Sequence, residues 1–383
     1  MAKKETGNSG RPPIPEKVKI QLWTSAAGRC QFDNCNKPLW RNELTMGRMN
    51  ASYIAHIYAF SENGPRYDAD LSPKLEKDFS NLMLVCDVCH RTFDDKELES
   101  EYPASRLQKM KKDHEDRIEL LTAIQPDKKS HIILYGARIG EHTSPLHFKG
   151  AVLALLPDYY PVKSNAIELS LKNSSFNDAD DTYWIVEAEN LKNLFREHVA
   201  FTKANDSVQH YSVFALAPQP LLIMLGTLLN DIYPANIYQL HREPATWNWL
   251  EETEQINYLV TEPVINSKKV ALKIALSASV SDDRITSVLG DDAAIWMITI
   301  PSPHNDFLRS RTQLQELRRC FRQIFDNIKS KHGEDAELHI FPAMPVAAAV
   351  EFGRVWMPKA DLAFTIYEQN RTKGGFFKTL KIE

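Results

Sequence analysis

The sequence has 383 residues, which is enough for two or three domains. Hydrophobic residues make up 43% of it, enough for sizeable cores, and the net charge of −4 excludes a basic coat over the whole chain. Because there is no run of about 18 consecutive apolar residues, we expect no transmembrane helix and no membrane partner. Residues 1–18 carry charge without an apolar stretch, so they are predicted to form a flexible arm rather than a secretory signal.

Four of the five cysteines fall in two close pairs within the first 90 residues. Cys30 and Cys35 have four residues between them, and Cys86 and Cys89 have two. Without an export signal, thiols in such pairs more often bind a metal than form disulfides. Four thiolates suit tetrahedral Zn²⁺, so we predict a structural zinc ion that stabilises a small domain. The alternative is four unrelated reduced cysteines.

A second pattern is interleaved with these cysteines. His56 lies in an apolar run, Asn81 precedes another apolar run, and His90 directly follows the second cysteine pair. Histidine, asparagine and histidine in this order, together with the cysteine pairs, resemble the HNH endonuclease family over about residues 20–100. The resemblance implies a ββα-metal fold, in which a hairpin and a helix surround one divalent cation.

The resemblance gives each of these side chains a role in hydrolysing double-stranded DNA. His56 is the expected general base, since a neutral imidazole with a pKa near neutrality suits that task. Asn81 is expected to brace the loop that presents His56 through side-chain to backbone hydrogen bonds. His90 is the expected ligand of a catalytic Mg²⁺ or similar ion, which stabilises the charge that develops on the phosphate and the leaving oxygen.

The sequence departs from the family at one position. Many HNH members have an acidic residue or a histidine just before the general base, where it binds the metal, but here that residue is Ala55. Asp94, Asp95 and Asp68 are the alternatives for a second protein ligand. In the remaining alternative, the ion is held by His90 together with substrate phosphate and water.

A helical pattern follows from Ala104 to about Ile124, and Pro126 ends it. Residues 103–117 are locally basic and either form a solvated helix face or contact the DNA backbone. We therefore predict an HNH domain over residues 19–125 and a linker over residues 126–130. The apolar face of the helix is predicted to comprise Leu107, Met110, Ile118 and Leu121.

Residues 131–383 alternate apolar strand patterns with helical ones, which is typical of an α/β sheet covered on both faces. The segments FALAPQPLLIMLG (214–226) and FPAMPVAAAVEFG (341–353) share Phe-x3-Pro-x7-Gly at identical spacing. Each precedes a strand predicted to start at a proline, Pro234 or Pro358. We infer a duplication with α/β halves of about 131–260 and 261–383, and a cleft where strand C-terminal ends meet helix N-termini.

The glycine motifs that bind phosphates and the nucleophile elbow of hydrolases are missing from this region, which indicates a binding domain. The segment FPAMPVAAAVEFGRVWMPKADLAFTIYE (341–368) resembles SAVED domains, which consist of two CARF-like halves and bind cyclic oligonucleotides. An HNH domain followed by SAVED resembles effector nucleases of the bacterial CBASS anti-phage systems. The candidate contacts with a cyclic di- or trinucleotide lie in loops at strand ends: Tyr135, Arg138, Ser302, His304, Met344, Pro345, Arg371 and Lys373.

The predicted fold is α+β, with a small zinc-stabilised ββα-metal HNH domain followed by a duplicated α/β, CARF-like SAVED domain. The predicted function is a cytoplasmic bacterial endonuclease that a cyclic nucleotide activates, with formation of a homo-oligomer on ligand binding. The alternatives are a restriction-type HNH nuclease with a C-terminal reader of modified DNA, and a non-catalytic, zinc-stabilised DNA-binding regulator. A duplicated α/β core without a broad basic stripe disfavours the former, and the set of His56, Asn81 and His90 disfavours the latter.

Overall fold

The computed structural model describes residues 13–42, 44–139, 146–171, 176, 178–250, 254–370 and 373–383. The chain divides into two compact units, Met1–Gln125 and Pro126–Glu383. Among the helices in these described ranges, none combines the length and the apolar character needed to cross a membrane.

The first unit contains a two-stranded sheet and four α-helices in its described part. Strand β1 pairs antiparallel with β2, and helix α3 follows β2 directly, so the cysteine-rich segment forms two strands and then a helix. Helix α1 begins at Glu16, so residues 16–18 are helical and the predicted arm is shorter than residues 1–18. The elements are α1 (Glu16–Ser25), β1 (Ser52–His56), α2 (Leu71–Leu75), β2 (Leu82–Cys86), α3 (Asp87–Phe93) and α4 (Ala104–Thr122).

Helix α4 has a narrower buried face than its sequence pattern predicts. Its buried residues are Leu107, Met110, Lys111 and His114, whereas Leu121 is 48% exposed. The burial of Lys111 is compensated by an ion pair of its ammonium group with Glu115. Two further lysines of the basic run also pair with a carboxylate one turn later, Lys109 with Asp113 and Lys112 with Asp116. These pairs favour a solvated helix face over contact with DNA.

The second unit is a duplicated α/β domain. Its first half contains β3 (Lys129–Gly136), α5 (Phe148–Leu155), β4 (Tyr160–Pro161), β5 (Ile167–Glu168), α6 (Asp181–Leu194), α7 (Phe201–Asn205), β6 (Tyr211–Leu216), α8 (Gln219–Leu229) and β7 (Ala235–Tyr238). Its second half contains β8 (Leu259–Thr261), β9 (Lys269–Ala275), α9 (Asp283–Leu289), β10 (Ala294–Thr299), α10 (Arg311–His332), β11 (Glu337–Ala343), α11 (Val346–Val355), β12 (Phe364–Asn370) and β13 (Gly375–Ile382).

Each half has its own sheet. The first has the strand order β4-β3-β6-β7, with β5 also paired to β3, and all these pairings are parallel. The second has the order β13-β12-β11-β9-β10-β8, in which only the edge strands β13 and β8 are antiparallel. Strands β6 and β9 are almost fully buried, as their continuous apolar sequences predict, whereas buried and half-buried residues alternate along β10.

The repeated segments form the seam between the halves. Each consists of the end of a strand, β6 or β11, and the helix that follows it, α8 or α11. The two helices cross at the repeated glycines, Gly226 and Gly353. A Cβ atom on either glycine would lie 2.0 Å from a backbone carbonyl oxygen of the other helix. Glycine is therefore required at both positions by the close approach of the two backbones.

Two predicted boundaries differ from the structure. Strand β8, at Leu259–Thr261, pairs with β10 of the second sheet, so the second half begins before residue 261. The strand expected to start at Pro358 begins only at Phe364, because residues 357–361 form a turn in which the Met357 carbonyl accepts the Ala360 and Asp361 N–H groups. Pro234, by contrast, immediately precedes β7.

Candidate functional sites

The four paired cysteines come together in the first unit. Their sulfur atoms all lie within 4.8 Å of one another, and they are the one group of three or more potential metal ligands in the described part of the chain. None of them forms a disulfide. The chain reverses through Asn34 and Asn36, which flank Cys35 and both adopt the left-handed region that asparagine tolerates. The second pair lies at the end of β2 and in α3.

The chemistry of this cluster fits a zinc ion. Zinc bonded to four sulfurs at about 2.3 Å holds them about 3.8 Å apart, and the Cys35 and Cys86 sulfurs are 3.9 Å apart. Burial raises the pKa of the Cys30 thiol to about 12, so a buried thiolate here needs a cation to compensate its charge. The residues that would hold the ion are Cys30, Cys35, Cys86 and Cys89.

His56 is held at the end of β1 in a defined orientation. Its side chain is buried, and Nε2 lies 2.9 Å from the carbonyl oxygen of Glu76. A carbonyl oxygen can only accept, so in the neutral ring the proton is on Nε2 and the basic lone pair is on Nδ1. This is the protonation state that a general base requires.

Asn81 fixes the backbone that follows His56. Its side-chain oxygen accepts the Tyr58 N–H at 2.7 Å, and its amide nitrogen donates to the carbonyl oxygens of Tyr58 and Leu75 at 3.1 and 3.2 Å. The Asn81 carbonyl also accepts the Ile57 N–H at 2.8 Å. Asn81 is itself buried, so its hydrogen bonds are protected from water and hold the loop after β1 against the start of β2.

His90 lies in α3 with a carboxylate beside it. Its Nε2 is 3.3 Å from Asp94 Oδ2, one helical turn later, and its ring stacks on Tyr53 of β1. The other two proposed second ligands have local roles instead. Asp68 caps the start of α2 by accepting two backbone N–H groups, and Asp95 accepts the Glu97 N–H. The structure therefore singles out Asp94 as the carboxylate next to His90.

A buried arginine that the sequence analysis did not identify joins these parts. The Arg66 guanidinium donates to the Ile57 carbonyl at 2.9 Å, to the Phe93 carbonyl at 2.6 Å and to Asp94 Oδ1 at 2.6 Å. It thereby links the residue after His56 with the end of α3 and with the carboxylate beside His90. Its backbone φ of 58° is unusual for a non-glycine residue and marks a constrained position.

The second unit has a cleft of about 600 Å³ at its seam, which we call the seam cleft. Its walls come from the C-terminal ends of strands in both sheets and from the first residues of α8 and α11. This is where parallel α/β sheets bind ligands, and the size suits a small molecule. The polar residues of the wall include Asp178, Gln219, Gln239, His241, Arg242, Ser277, Asn305 and Glu368.

Several polar atoms of the seam cleft are buried without a hydrogen-bond partner. They are Gln219 Oε1, both ring nitrogens of His241 and Glu368 Oε2. His241 is 1% exposed, and burial lowers its pKa, so the ring is neutral near pH 7. A buried unpaired polar atom costs about 1–3 kcal/mol. Atoms of this kind on the wall of a cleft indicate that a polar ligand or ordered water satisfies them.

A side chain from the other half of the domain lies at the start of each repeat helix. Gln239, which follows β7, accepts the Ala347 N–H of α11 at 3.1 Å with its side-chain oxygen. The Glu368 carboxylate, in β12, interacts electrostatically with the backbone N–H of Gln219 at the start of α8. Burial raises the pKa of the Glu368 carboxyl to about 7, and the nearby Asp178 raises it further, against the effect of the backbone hydrogen bonds. The seam cleft therefore has an acid that is only partly ionised near pH 7 at the start of α8 and an amide at the start of α11.

Another cleft, of about 660 Å³, lies beside β3 and is lined by His131, Lys163, His198 and Asp206 among others. It is farther from the seam, beside the first residues of β3 rather than at the strand C-terminal ends. Its buried His131 faces the Asp206 carboxylate at 3.5 Å. The seam cleft is the better candidate because it has several unpaired buried atoms and the strand-end position of ligand sites in such sheets.

The predicted ligand contacts are only partly on the wall of the seam cleft. Met344 and Pro345 line it. Tyr135 is fully buried in the core, which corrects its assignment to a strand-end loop: β3 extends through it to Gly136. Arg371 lies outside the described residues. The others are not among the lining residues: Arg138 accepts the Tyr183 hydroxyl with its carbonyl, Ser302 accepts from the exposed His304 ring, and Lys373 pairs with Asp181.

Comparison with known proteins identifies the second unit. Residues 190–382 match the model of the SMODS-associated and fused to various effectors sensor domain, SAVED. Similar solved structures include the Acinetobacter baumannii Cap4 SAVED/CARF-domain containing receptor with the cyclic trinucleotide 2'3'3'-cAAA and with 3'3'3'-cAAA. Both are 12% identical, have a TM-score of 0.42, and cover 75% of this chain and 60% of that chain.

The Moraxella osloensis Cap4 SAVED/CARF-domain containing receptor is also similar, at 11% identity and a TM-score of 0.37, with 75% of this chain and 60% of that chain covered. The match therefore spans about 60% of the length of these receptors. No curated protein matches the sequence.

Proposed function

The chain belongs to the family of SAVED sensor domains, whose model matches half of its length, and we propose that it is a cyclic-oligonucleotide sensor that controls a DNA endonuclease in CBASS-type defence. The second unit is the sensor and the first unit is the nuclease. The observation that carries the sensor proposal is the seam cleft, in which buried atoms of Gln219, His241 and Glu368 have no hydrogen-bond partner within the protein. A ligand with flat, hydrogen-bonding bases satisfies such atoms, and SAVED domains bind ligands of this kind.

The nuclease proposal is supported by the geometry around His56. The ring has its basic lone pair on Nδ1, as a base that activates water needs. Asn81 holds the backbone that follows it, and Arg66 joins that backbone to α3. His90 and Asp94 are the side chains that would hold a Mg²⁺-type ion, and such an ion stabilises the charge that develops on the phosphate. A general base on a segment that Arg66 joins to the carboxylate of a carboxylate–histidine pair suits phosphodiester hydrolysis.

The test is plasmid cleavage by the full-length protein in Mg²⁺ with and without a panel of cyclic di- and trinucleotides. We expect cleavage only when one of the nucleotides is present. Cleavage without nucleotide would instead support a restriction-type nuclease, and the lack of cleavage in every condition would support a non-catalytic DNA-binding regulator.

His56→Ala provides the sharpest control of the mechanism. We expect cleavage to fall by about a hundredfold or more, since general bases contribute at least this much, while zinc content and nucleotide binding stay unchanged. His147→Ala, at an exposed histidine of the second unit, is the matched control and should cleave normally. Near-normal cleavage by the His56→Ala variant would exclude His56 as the general base.

Activation through assembly is the proposed means of control. A nucleotide shifts the protein to a larger oligomer if it binds the assembled form more tightly than the free protomer. Two nuclease units brought together then cut both DNA strands. Light scattering with and without the activating nucleotide measures the mass, and an unchanged mass with full activation would refute assembly as the switch.

A further inference from the structure

The geometry of one corner of the seam cleft points to the base that it recognises. We propose that Gln219 and Glu368 form an acceptor pair that binds the Watson–Crick edge of guanine through its N1–H and N2–H groups. The inference rests on the proposed function of nucleotide sensing and names the ligand chemistry of that site.

Both side chains present an oxygen that has no partner. The Gln219 amide nitrogen donates to the Met344 carbonyl at 2.6 Å, which fixes the amide so that Oε1 is the remaining atom, and Oε1 is buried and unpaired. Glu368 Oε1 accepts the Gln369 N–H at 3.0 Å, while Oε2 is buried and unpaired. The Glu368 carboxylate also interacts electrostatically with the Gln219 backbone N–H. The two residues are therefore neighbours and present two acceptors on the wall of the same cleft.

The charge of this corner excludes a phosphate and favours a donor-rich group. Asp178 lines the same cleft and acts electrostatically on Glu368, so two carboxylates lie near the start of α8. A helix N-terminus usually attracts anions, but the Glu368 carboxylate already lies near this one. The phosphates of a ligand are better placed towards Arg242, an exposed cation of the cleft wall that follows His241 in the sequence.

Guanine is the one common base with two adjacent donors on its Watson–Crick edge. Adenine and cytosine each place a ring-nitrogen acceptor beside their amino group, and uracil has a single N–H between two carbonyl oxygens. A ring-nitrogen lone pair would face an acceptor oxygen of Gln219 or Glu368, and a buried pair of facing acceptors is unfavourable. Hypoxanthine retains N1–H and lacks the amino group, so it should bind with intermediate affinity.

The protonation of Glu368 gives a second, independent signature. Its pKa is raised to about 7 by burial, and the charged or titratable groups around it are Asp178, Tyr183, His241 and Arg242. An acceptor pair for guanine requires the ionised carboxylate. Binding of guanine should therefore strengthen as the pH rises through about 7, with a plateau above it. An adenine edge would need the protonated acid as a donor, and its binding would weaken over the same range.

The experiment is calorimetric titration of the full-length protein with cyclic di- and trinucleotides that carry only guanine, only hypoxanthine or only adenine. We expect affinity in the order guanine, hypoxanthine, adenine. Glu368→Gln should lower the affinity for the guanine-only cyclic nucleotides by roughly tenfold to a hundredfold. It should also reduce the difference in affinity between guanine-only and adenine-only cyclic nucleotides, because an amide offers one donor and one acceptor. Gln219→Ala should weaken guanine binding and leave the pH dependence in place.

Glu334→Gln, at an exposed carboxylate, is the matched control for charge and should bind like the wild type. Thermal melts of each variant verify its fold. Equal affinity for adenine and guanine rings, or guanine binding that weakens as the pH rises, would overturn the base assignment while nucleotide sensing stands. If none of the rings binds, both the base assignment and the proposed sensing function fail.

Discussion

The crossing of α8 and α11 allows the effect of a single methyl group to be worked out. A Cβ atom at Gly226 would lie 2.0 Å from the Val350 carbonyl oxygen, 2.8 Å from the Gly353 Cα and 2.9 Å from the Arg354 nitrogen. All three are backbone atoms of α11, which cannot rotate away as a side chain can. To reach even 3.0 Å from the carbonyl oxygen, the helices must separate by about 1 Å.

Such a shift should destabilise the second unit strongly. Extra methyl groups in close-packed interiors cost about 1–3 kcal/mol, and the rigidity of the backbone places Gly226→Ala near 3 kcal/mol, at the upper end of that range. For a domain of this size, the melting temperature falls by roughly 2–4 °C per kcal/mol, or about 6–12 °C in this case. The first residues of both helices line the seam cleft, so ligand binding should weaken too.

Gly150→Ala is the matched control, since Gly150 also lies in a helix but has no heavy atom within 4 Å of its Cβ position. This change should stabilise α5 by about 0.5–1 kcal/mol. Differential scanning calorimetry of the two variants measures both effects. A Gly226→Ala protein that melts within about 2 °C of the wild type, or a Gly150→Ala protein that is equally destabilised, would refute the reasoning.

Buried charges and the cysteine cluster give three more expected outcomes. Arg354→Ala should lower the free energy of unfolding by about 3 kcal/mol in a urea titration, because the buried Glu351 loses its nearer ion-pair partner, at 2.7 Å, and keeps only Arg318, at 3.5 Å; an unchanged midpoint would contradict this. Glu187→Gln should raise the melting temperature at about pH 8 and have little effect near pH 4, since burial raises the pKa of Glu187 to about 7 and its stabilising contribution is lost as the pH rises through that value. A pH-independent difference would exclude titration of Glu187 as the cause. Cys86→Ser should lower the zinc content found by elemental analysis, whereas Cys320→Ser should keep about one ion per chain, and equal contents would exclude the cluster.

Local patterns in the sequence predict much of the second unit. The strands β3, β6, β9 and β11 consist largely of continuous apolar residues, as the sequence pattern predicts, because strands covered on both faces need no polar alternation. The repeated glycines were evident as a motif, and the structure supplies their reason in the helix crossing. The edge strand β13 was missed, although Phe376, Leu380 and Ile382 are its buried residues. A half-buried edge strand has a weaker apolar signal than a central one.

The site residues were harder to predict because their chemistry depends on contacts far apart in the sequence. Glu368 and Gln219 are separated by well over a hundred residues, and neither stands in a known ligand motif. The sequence does contain one indication that Gln219 has a polar role, since it is a polar residue in the otherwise apolar start of a repeat helix. Arg66 has contacts with three separate segments, which spacing alone does not reveal. The four paired cysteines were easier to predict, because close pairs of cysteines indicate a metal site within a short stretch of sequence.

Duplication explains the shape of the seam cleft but not its chemistry. Both halves contribute a strand end and a helix start, so the architecture alone would suit a ligand with two identical ends. The side chains at the helix starts differ, however, since α11 is capped by the neutral amide of Gln239, whereas the acidic Glu368 lies near the start of α8. The first helical residues differ as well, with Gln219 in one half and Val346 in the other. One pair of substitutions after duplication is therefore enough to give the two ends of a symmetric cleft different hydrogen-bonding preferences, and so to favour a ligand whose two ends differ.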